Sequence, residues 1–276
     1  MCGRYAASAD PDQLVEEFEV ALDATDQPSR SVLRAPQDPP AGRPDWNMAP
    51  TKQAPVVLER APRGGDESVL VRQLRLLTWG LVPSWAKDVR TGLRMTNARA
   101  ESLLDKPAFA RAAARRRCLV PAQGWYEWQA SPTLTDRRGR PRKQPFFVSR
   151  ADGDQLAMAG LYEFWRDPDG DPDDPLSWVV SFTVVTRAAE PALERLHDRQ
   201  PVVLDRASWD AWLDPDLVDE GHVRSVLEAQ PDGRFRAWAV SPAVNATRNN
   251  GAQLVDPVPA TELHGVVDPM TGEVYE

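Results

Sequence analysis

The chain has 276 residues, 42% of them apolar, with two cysteines, Cys2 and Cys118. This suits one sizeable core; no run approaches the roughly 18 apolar residues of a membrane span, no secretory h-region follows Met1, and two cysteines exclude a disulfide scaffold and fit a reducing compartment. The net charge of −8 argues against a uniformly basic nucleic-acid binder: residues 205–276 carry 13 acidic and 5 basic side chains while the remainder balances at 28 of each, so any basic groove has to be local.

In chain order, Asp10-Pro11 places a cap and a helix-compatible proline before Leu14, Val15 and Phe18, spaced for one buried helical face. Residues 23–44 read as a Pro-rich loop, 54–58 as a strand, 61–67 as a loop and 74–82 as a strand. A second helix is expected over 105–117, with Pro107 in its first turn. Strands follow at 118–120 and 125–128 with Gln123-Gly124 as a turn between them, then at 145–149 and 156–164. The Asp-rich stretch 166–175 has a misplaced Gly170 and interrupting prolines, so it is a solvated loop and not an EF-hand. A strand at 178–186, a short helix at 192–196, a strand at 201–204, helices at 208–213 and 222–228, and a strand at 235–240 complete the pattern. Strands dominate without regular βαβ alternation, which predicts a predominantly β, α+β domain. Two basic clusters, Arg111/Arg115/Arg116/Arg117 and Arg137/Arg138/Arg140/Arg142/Lys143, read equally as solvated surface or as a local groove.

Cys2 is set apart by its position. Once Met1 is removed it presents an α-amine and a thiol on adjacent carbons. The amine, with an ordinary pKa of about 7.7 to 8.0, is partly neutral near pH 7; it can condense with an aldehyde, and the thiol can close a five-membered thiazolidine in an intramolecular step. Gly3 permits close backbone approach, and Arg4 suits a phosphate or carboxylate. Asn97 both donates and accepts, so it can position an amine or a sugar hydroxyl, with Arg99 on its side of an extended segment. Glu127, in Gly124-Trp125-Tyr126-Glu127-Trp128, is either a poorly solvated carboxylate of raised pKa or the outward residue of an alternating strand. His197 suits acid–base work; His222 and His264 lack comparable surroundings. The histidines and two separated cysteines make no zinc-ligand spacing. Of ten tryptophans, Trp85 and Trp128 stand at strand ends, where an indole can stack on an unpaired base.

Seven segments taken together resemble the SRAP (SOS response-associated peptidase) family of abasic-site-processing proteins. They are Met1-Cys2-Gly3-Arg4-Tyr5, Asn47-Met48-Ala49-Pro50-Thr51, Trp79-Gly80-Leu81-Val82-Pro83-Ser84-Trp85 and Asn97-Ala98-Arg99-Ala100-Glu101. Gly124-Trp125-Tyr126-Glu127-Trp128, His197-Asp198-Arg199-Gln200-Pro201 and Val240-Ser241-Pro242-Ala243-Val244-Asn245, running into Arg248-Asn249-Asn250, complete the set. The resemblance implies a single α+β domain over 1–276 with a mixed, β-barrel-like core and peripheral helices, in which 23–44 and 166–175 are insertions. It implies that Cys2 forms a thiazolidine cross-link with the ring-opened sugar of an abasic site in single-stranded DNA, that residues before Cys2 are removed by self-cleavage, and that the cross-link can be released. Asn97, Glu127 and His197 match the family's active-site positions. Arg4, Asn47, Pro50, Trp85, Arg99, Thr186 and Arg199 look like its DNA-contact positions, joined by Trp128 as a stacking surface.

No metal or organic cofactor is implied. The expected partner is single-stranded DNA bearing abasic sites, engaged by a monomer in the bacterial cytoplasm. Gln200 stands where the family usually has Met. Two rival readings remain. Met-Cys-Gly also begins glutamine amidotransferases, whose free amine serves its own thiol as base, although no glutamine-binding segment is found; a non-catalytic single-strand binder would not need Cys2.

Overall fold

The computed structural model describes residues 2–135, 138–171 and 173–275, the side chains of 132–134 excepted; Met1 and Arg137 lie outside the described residues. The strands are β1 (Tyr5–Ala7), β2 (Leu22–Asp23), β3 (Asp45–Met48), β4 (Gln53–Arg60), β5 (Val71–Trp79), β6 (Asn97–Arg99), β7 (Arg117–Ala122), β8 (Gly124–Thr135), β9 (Pro141–Arg150), β10 (Leu156–Arg166), β11 (Trp178–Ala188), β12 (Arg199–Pro201) and β13 (Phe235–Ala239). The α-helices are α1 (Pro11–Glu17), α2 (Ala110–Arg115), α3 (Trp209–Leu213) and α4 (Glu220–Glu228).

Five strands close on themselves in the order β5-β4-β7-β10-β11, and β11 returns to β5 through the parallel pairs Ser181↔Thr78 and Phe182↔Trp79. This ring is the barrel-like core of an α+β fold. A second, antiparallel sheet runs β13-β9-β8-β1-β3. The chain passes from one to the other at Gln123, whose N–H donates to the Ala6 carbonyl. Gln123-Gly124 is therefore a crossing between sheets and not a hairpin, because β7 pairs with β4 and β10 while β8 pairs with β1 and β9. Gly124 is required at that crossing: a Cβ there would overlap the Phe147 ring and the Val148 carbonyl.

Alternation decides which side chains meet. Even-numbered residues of β4 (Ala54, Val56, Leu58), with Leu77, Trp79, Cys118, Val120, Met158, Phe182 and Val184, share one continuous core with Tyr5, Met48, Trp125, Phe146 and Val148 of the second sheet. The opposite parity (Val57, Leu74, Leu119, Ala159, Leu161, Val185) packs under Leu14 and Phe18 beside α1, Ala112 and Ala113 of α2, Trp212 of α3 and Val223 and Leu227 of α4. Strands with two apolar faces are buried on both sides, as these barrel strands are. Helix α1 forms as predicted: Asp10 and Gln13 make a reciprocal capping box and Pro11 occupies the first turn.

Two predicted elements have other bounds than their sequences suggested, the helix shortened and the strand shifted to Val71–Trp79. The helix expected over 105–117 is helical only at Ala110–Arg115; residues 101–109 form successive turns, since Pro107 donates no N–H and disfavours helical geometry at Lys106. The strand expected over 74–82 ends at Trp79 because Gly80 adopts φ +124°, where a Cβ would lie 2.6 Å from the Gly92 carbonyl. The strand expected at 201–204 is displaced, pairing as Arg199–Pro201 with Ala188–Thr186.

Candidate active site

The segment that follows Cys2 is held within the second sheet. β1 lies between β8 and β3, with Tyr5 opposite Trp125 and the Tyr126 N–H donating to the Arg4 carbonyl at 2.9 Å. Continued toward the terminus, this register sets Gly3 opposite Glu127. Cys2 is fully buried within the common core. The Asn97 side chain, on β6, donates through Nδ2 to the Cys2 carbonyl at 2.9 Å and to Thr96 Oγ1 at 3.2 Å. With Nδ2 so committed, Asn97 Oδ1 is buried and has no partner. An acceptor left bare beside the Cys2 backbone is costly unless a donor comes to it.

Glu127 lies on β8 and is almost wholly buried. Burial pushes its carboxyl up to about 7, so both protonation states are populated near neutrality. The thiol of Cys2 is pushed far above its ordinary value, first by burial and then by the Glu127 charge. Both effects favour the neutral S–H over the thiolate. Of the two alternatives weighed for Glu127, the structure takes the desolvated carboxylate.

His197 precedes β12 and is half-buried. Its Nδ1 accepts the Arg199 N–H at 3.0 Å, which in the neutral ring leaves the proton on Nε2. Asp198 Oδ1 also stands 2.6 Å from Nδ1; the same nitrogen cannot accept from Arg199 and donate to Asp198 at once, so that contact belongs to the protonated ring. Burial pulls the imidazole pKa below its usual value, Asp198 acting against this. The Asp198 charge in turn raises Glu127, and Glu127 raises Cys2. These couplings join the Cys2, Glu127 and His197 segments in one electrostatic neighbourhood, with Asn97 attached by its hydrogen bond. Among the described residues no three His, Cys, Asp or Glu side chains are grouped to share a metal ion.

The positions expected to contact DNA divide into outward and tied side chains. Trp85 is 62% exposed, and Arg99 points outward from β6. Arg4 is half-buried: Nη1 donates to Asn47 Oδ1 at 2.6 Å and to the Val244 carbonyl at 2.9 Å, and the guanidinium lies 5.8 Å from the Trp128 ring centre. Asn47 itself is fully buried, its Nδ2 donating to the Ala246 and Asn249 carbonyls at 3.0 and 2.9 Å. It supports Arg4 from beneath and ties down the 244–249 segment. Below it, Asp45 accepts from the Asn47 N–H and pairs with Lys52 at 2.7 Å in a buried ion pair. Trp128 is half-buried, with Nε1 donating to Asn245 Oδ1. Thr186 is buried, its Oγ1 turned to the Ala98 carbonyl, and Pro50 is half-buried beside Thr51. Arg199 is held in a two-pronged pair with Glu101 at 2.7 and 2.8 Å and donates to the Thr186 carbonyl at 2.7 Å.

Sequence reasoning passed over Glu101 and the Asp45–Lys52 pair. Glu101 stood inside a recognised segment, but nothing local says that its partner lies 98 residues away. The signal that could have found it is charge complementarity between two segments of one site.

The family model for SOS response associated peptidase (SRAP) matches residues 1–247. The abasic site processing protein YoqW of Bacillus subtilis is 30% identical over 258 residues, covering 93% of this chain and 99% of its own. The abasic site processing protein HMCES of Pongo abelii is 29% identical over 287 residues, covering 94% and 76%. Among solved structures, a protein from Bacteroides thetaiotaomicron superposes with a TM-score of 0.70 at 18% identity, over 94% of this chain and 100% of that one. A phage-related protein from Bordetella bronchiseptica does so at 0.57 and 26% identity, over 87% and 94%.

Proposed function

The chain belongs to the SRAP family, and from that premise we propose that it processes abasic sites in single-stranded DNA by covalent capture through Cys2 once Met1 has been removed. Relatives across most of its length are named abasic site processing proteins. The observation that carries the finer reading is the Asn97 side chain, which grips the Cys2 carbonyl and keeps a buried acceptor free beside it.

Removal of Met1 hydrolyses one peptide bond with one water and exposes the amine of Cys2, the residue whose carbonyl Asn97 holds. Glu127, ionised in part at neutral pH, takes the proton of the sugar's anomeric hydroxyl as the ring opens to its aldehyde; the ring oxygen gains a proton. The neutral amine adds to the aldehyde carbon to give a carbinolamine. Loss of water from it requires an acid, a role open to protonated Glu127 or to His197, and yields the imine. The Cys2 sulfur then bonds to the imine carbon and its proton passes to nitrogen. Aldehyde and aminothiol thus become thiazolidine and one water. The same transfers run backward release the DNA. Arg99 and Trp85, both outward, are free to meet phosphate and unstacked base.

The amidotransferase alternative needs a thiolate nucleophile. A Cys2 thiol buried beside the Glu127 charge disfavours one. The test is incubation of the Met1-processed protein with an abasic single-stranded oligonucleotide, followed by denaturing gel and intact mass. An adduct of protein plus oligonucleotide minus one water is expected, and Cys2→Ala or a blocked amine removes it. A stable adduct at wild-type level in Cys2→Ala would overturn the mechanism.

A further inference from the structure

The inward rows of the barrel strands change character at one end. Along β4, Ala54, Val56 and Leu58 lie in the core, and the next residue of that parity is Arg60. Along β5 the row Trp79, Leu77 leads to Arg75; along β10, Met158 and Tyr162 lead to Phe164; along β11, Val184 and Phe182 lead to Val180 and Trp178. These ends surround a cleft of about 430 Å³, completed by Arg63 and by Pro28 and Pro175. The mouth of a β-barrel is a common place for a small-ligand site, and this volume is in the usual range.

The cleft brings three guanidinium groups together without a counter-charge. Among the described residues none of Arg60, Arg63 and Arg75 makes an ion pair, whereas neighbouring Arg30, Arg72 and Arg116 pair with Asp167, Glu59 and Glu163. Burial lowers the Arg75 pKa and the Arg60 and Arg63 charges lower it further, Tyr162 acting against them. Arg60 covers Phe164, 4.7 Å from its ring centre, so the aromatic surface left open is Trp178, 40% exposed. In a chain of net charge −8, cations left unpaired around an open indole call for a ligand that is anionic at one end and planar at the other.

We infer that this mouth is a second binding site, taking a nucleotide unit with its phosphate on Arg60, Arg63 and Arg75 and its base on Trp178. It is separate from the Cys2 site: Val180 lines the cleft while Val184 pairs with Asn97, about 13 Å along β11 at the usual rise. Trp79, packed on Tyr5 at the catalytic end, is likewise four residues from Arg75. Pro28, Arg63 and Pro175 come to the cleft from three separate stretches of chain, and the Arg30–Asp167 pair joins two of them.

The unit belongs either to an undamaged strand or to a free nucleotide, and the experiment separates these. The full chain is titrated with fluorescein-labelled oligothymidylate lacking abasic sites, by anisotropy over a range of salt, and with dTMP by calorimetry. Neither probe carries an aldehyde, so the result is independent of the chemistry at Cys2. In Arg63→Glu/Trp178→Ala, affinity for the bound probe falls at least about fivefold; for the strand, the salt slope also drops by about 0.7 for each phosphate that is no longer neutralised. Arg63→Glu alone, on an exposed loop, gives part of the same loss without touching the barrel. A fall for oligothymidylate assigns the site to a strand, and a fall for dTMP alone assigns it to a free nucleotide. Binding of both probes that is absent, or unchanged in the variants, overturns the inference.

Discussion

Asn97 spends its amide nitrogen on the Cys2 and Thr96 oxygens and keeps its own oxygen buried, so in the proposed chemistry its part is to hold Cys2 in place. Removing it leaves the nucleophile present but misplaced. Asn97→Ala is expected to slow adduct formation about 10- to 100-fold while leaving affinity for an undamaged strand near wild type, as read by quenched single-turnover gels against anisotropy. Equal losses in both would show that Asn97 serves binding instead. Glu127 makes a second prediction at this scale. Its carboxyl is raised by burial from 4.5 to about 7, so the folded state favours the protonated form. The stability this contributes is complete below the ordinary carboxyl range and is lost as pH rises through about 7. Glu127→Gln should therefore flatten the fall in stability across that window and be the more stable protein at alkaline pH, measured by urea denaturation at several pH values. It should also remove the inflection near 7 from the pH–rate profile of adduct formation, leaving the limb due to the amine at about 7.7 to 8.0. A variant with the wild-type inflection would assign that titration to another group.

Elements reach the site through side chains that join their ends. The Glu101–Arg199 pair links the segment after β6 to β12, and the Arg199 N–H orients the His197 ring, so one exposed ion pair acts on the imidazole through a single intervening residue. Arg117 does the same for the helices. It is buried, and it donates to the carbonyls of Trp212 at 2.6 Å, Ala113 at 2.9 Å, Ala114 at 2.7 Å and Leu217 at 3.1 Å, with Asp214 as a further acceptor. A cation at two helix C-termini satisfies carbonyls that have no partner within their own helices. Arg117→Met strands these oxygens in an apolar layer and is expected to cost about 3 kcal/mol or more, seen as a lower urea midpoint. An unchanged midpoint would mean that water replaces the guanidinium there.

Across the whole molecule, a single core spans the barrel and the second sheet, and the segment carrying Cys2 leads into β1, the second strand from the edge of that sheet. Tyr5 marks the junction: it is fully buried and meets Trp79 edge-on at 5.0 Å. The two sheets should accordingly unfold together. Tyr5→Ala is expected to destabilise by about 3 to 5 kcal/mol with a single transition that coincides by far-ultraviolet circular dichroism and tryptophan fluorescence. Two separated transitions would show that the sheets are independent units. The charge distribution is also a property of this scale. The Arg111–Arg117 cluster, legible as a run, disperses on folding: Arg111 and Arg115 face solvent, Arg116 pairs with Glu163, and Arg117 is buried. The concentrated cations are instead Arg60, Arg63 and Arg75, which no run announces.

By itself the order of residues determined the fold class, the longer strands, helix α1 and, through ordered segments, the resemblance that pointed to Cys2, Asn97, Glu127 and His197. Those features are local: capping and turn chemistry act within a few residues, and β4, β10 and β11 are legible as apolar, β-branched runs bounded by turn residues. Tertiary structure alone decided that β1, β3 and β6 exist, since three or four residues carry no period of their own and pair only because partners are already in place. It decided that Asn47 and Thr186 lie inside while Arg99 and Trp85 lie outside, and that Glu127 sits in low dielectric and not in water. Strand register and ring closure bring together residues tens to hundreds of positions apart, and desolvation sets their protonation; both are properties of the assembled chain, and no segment of it carries them alone.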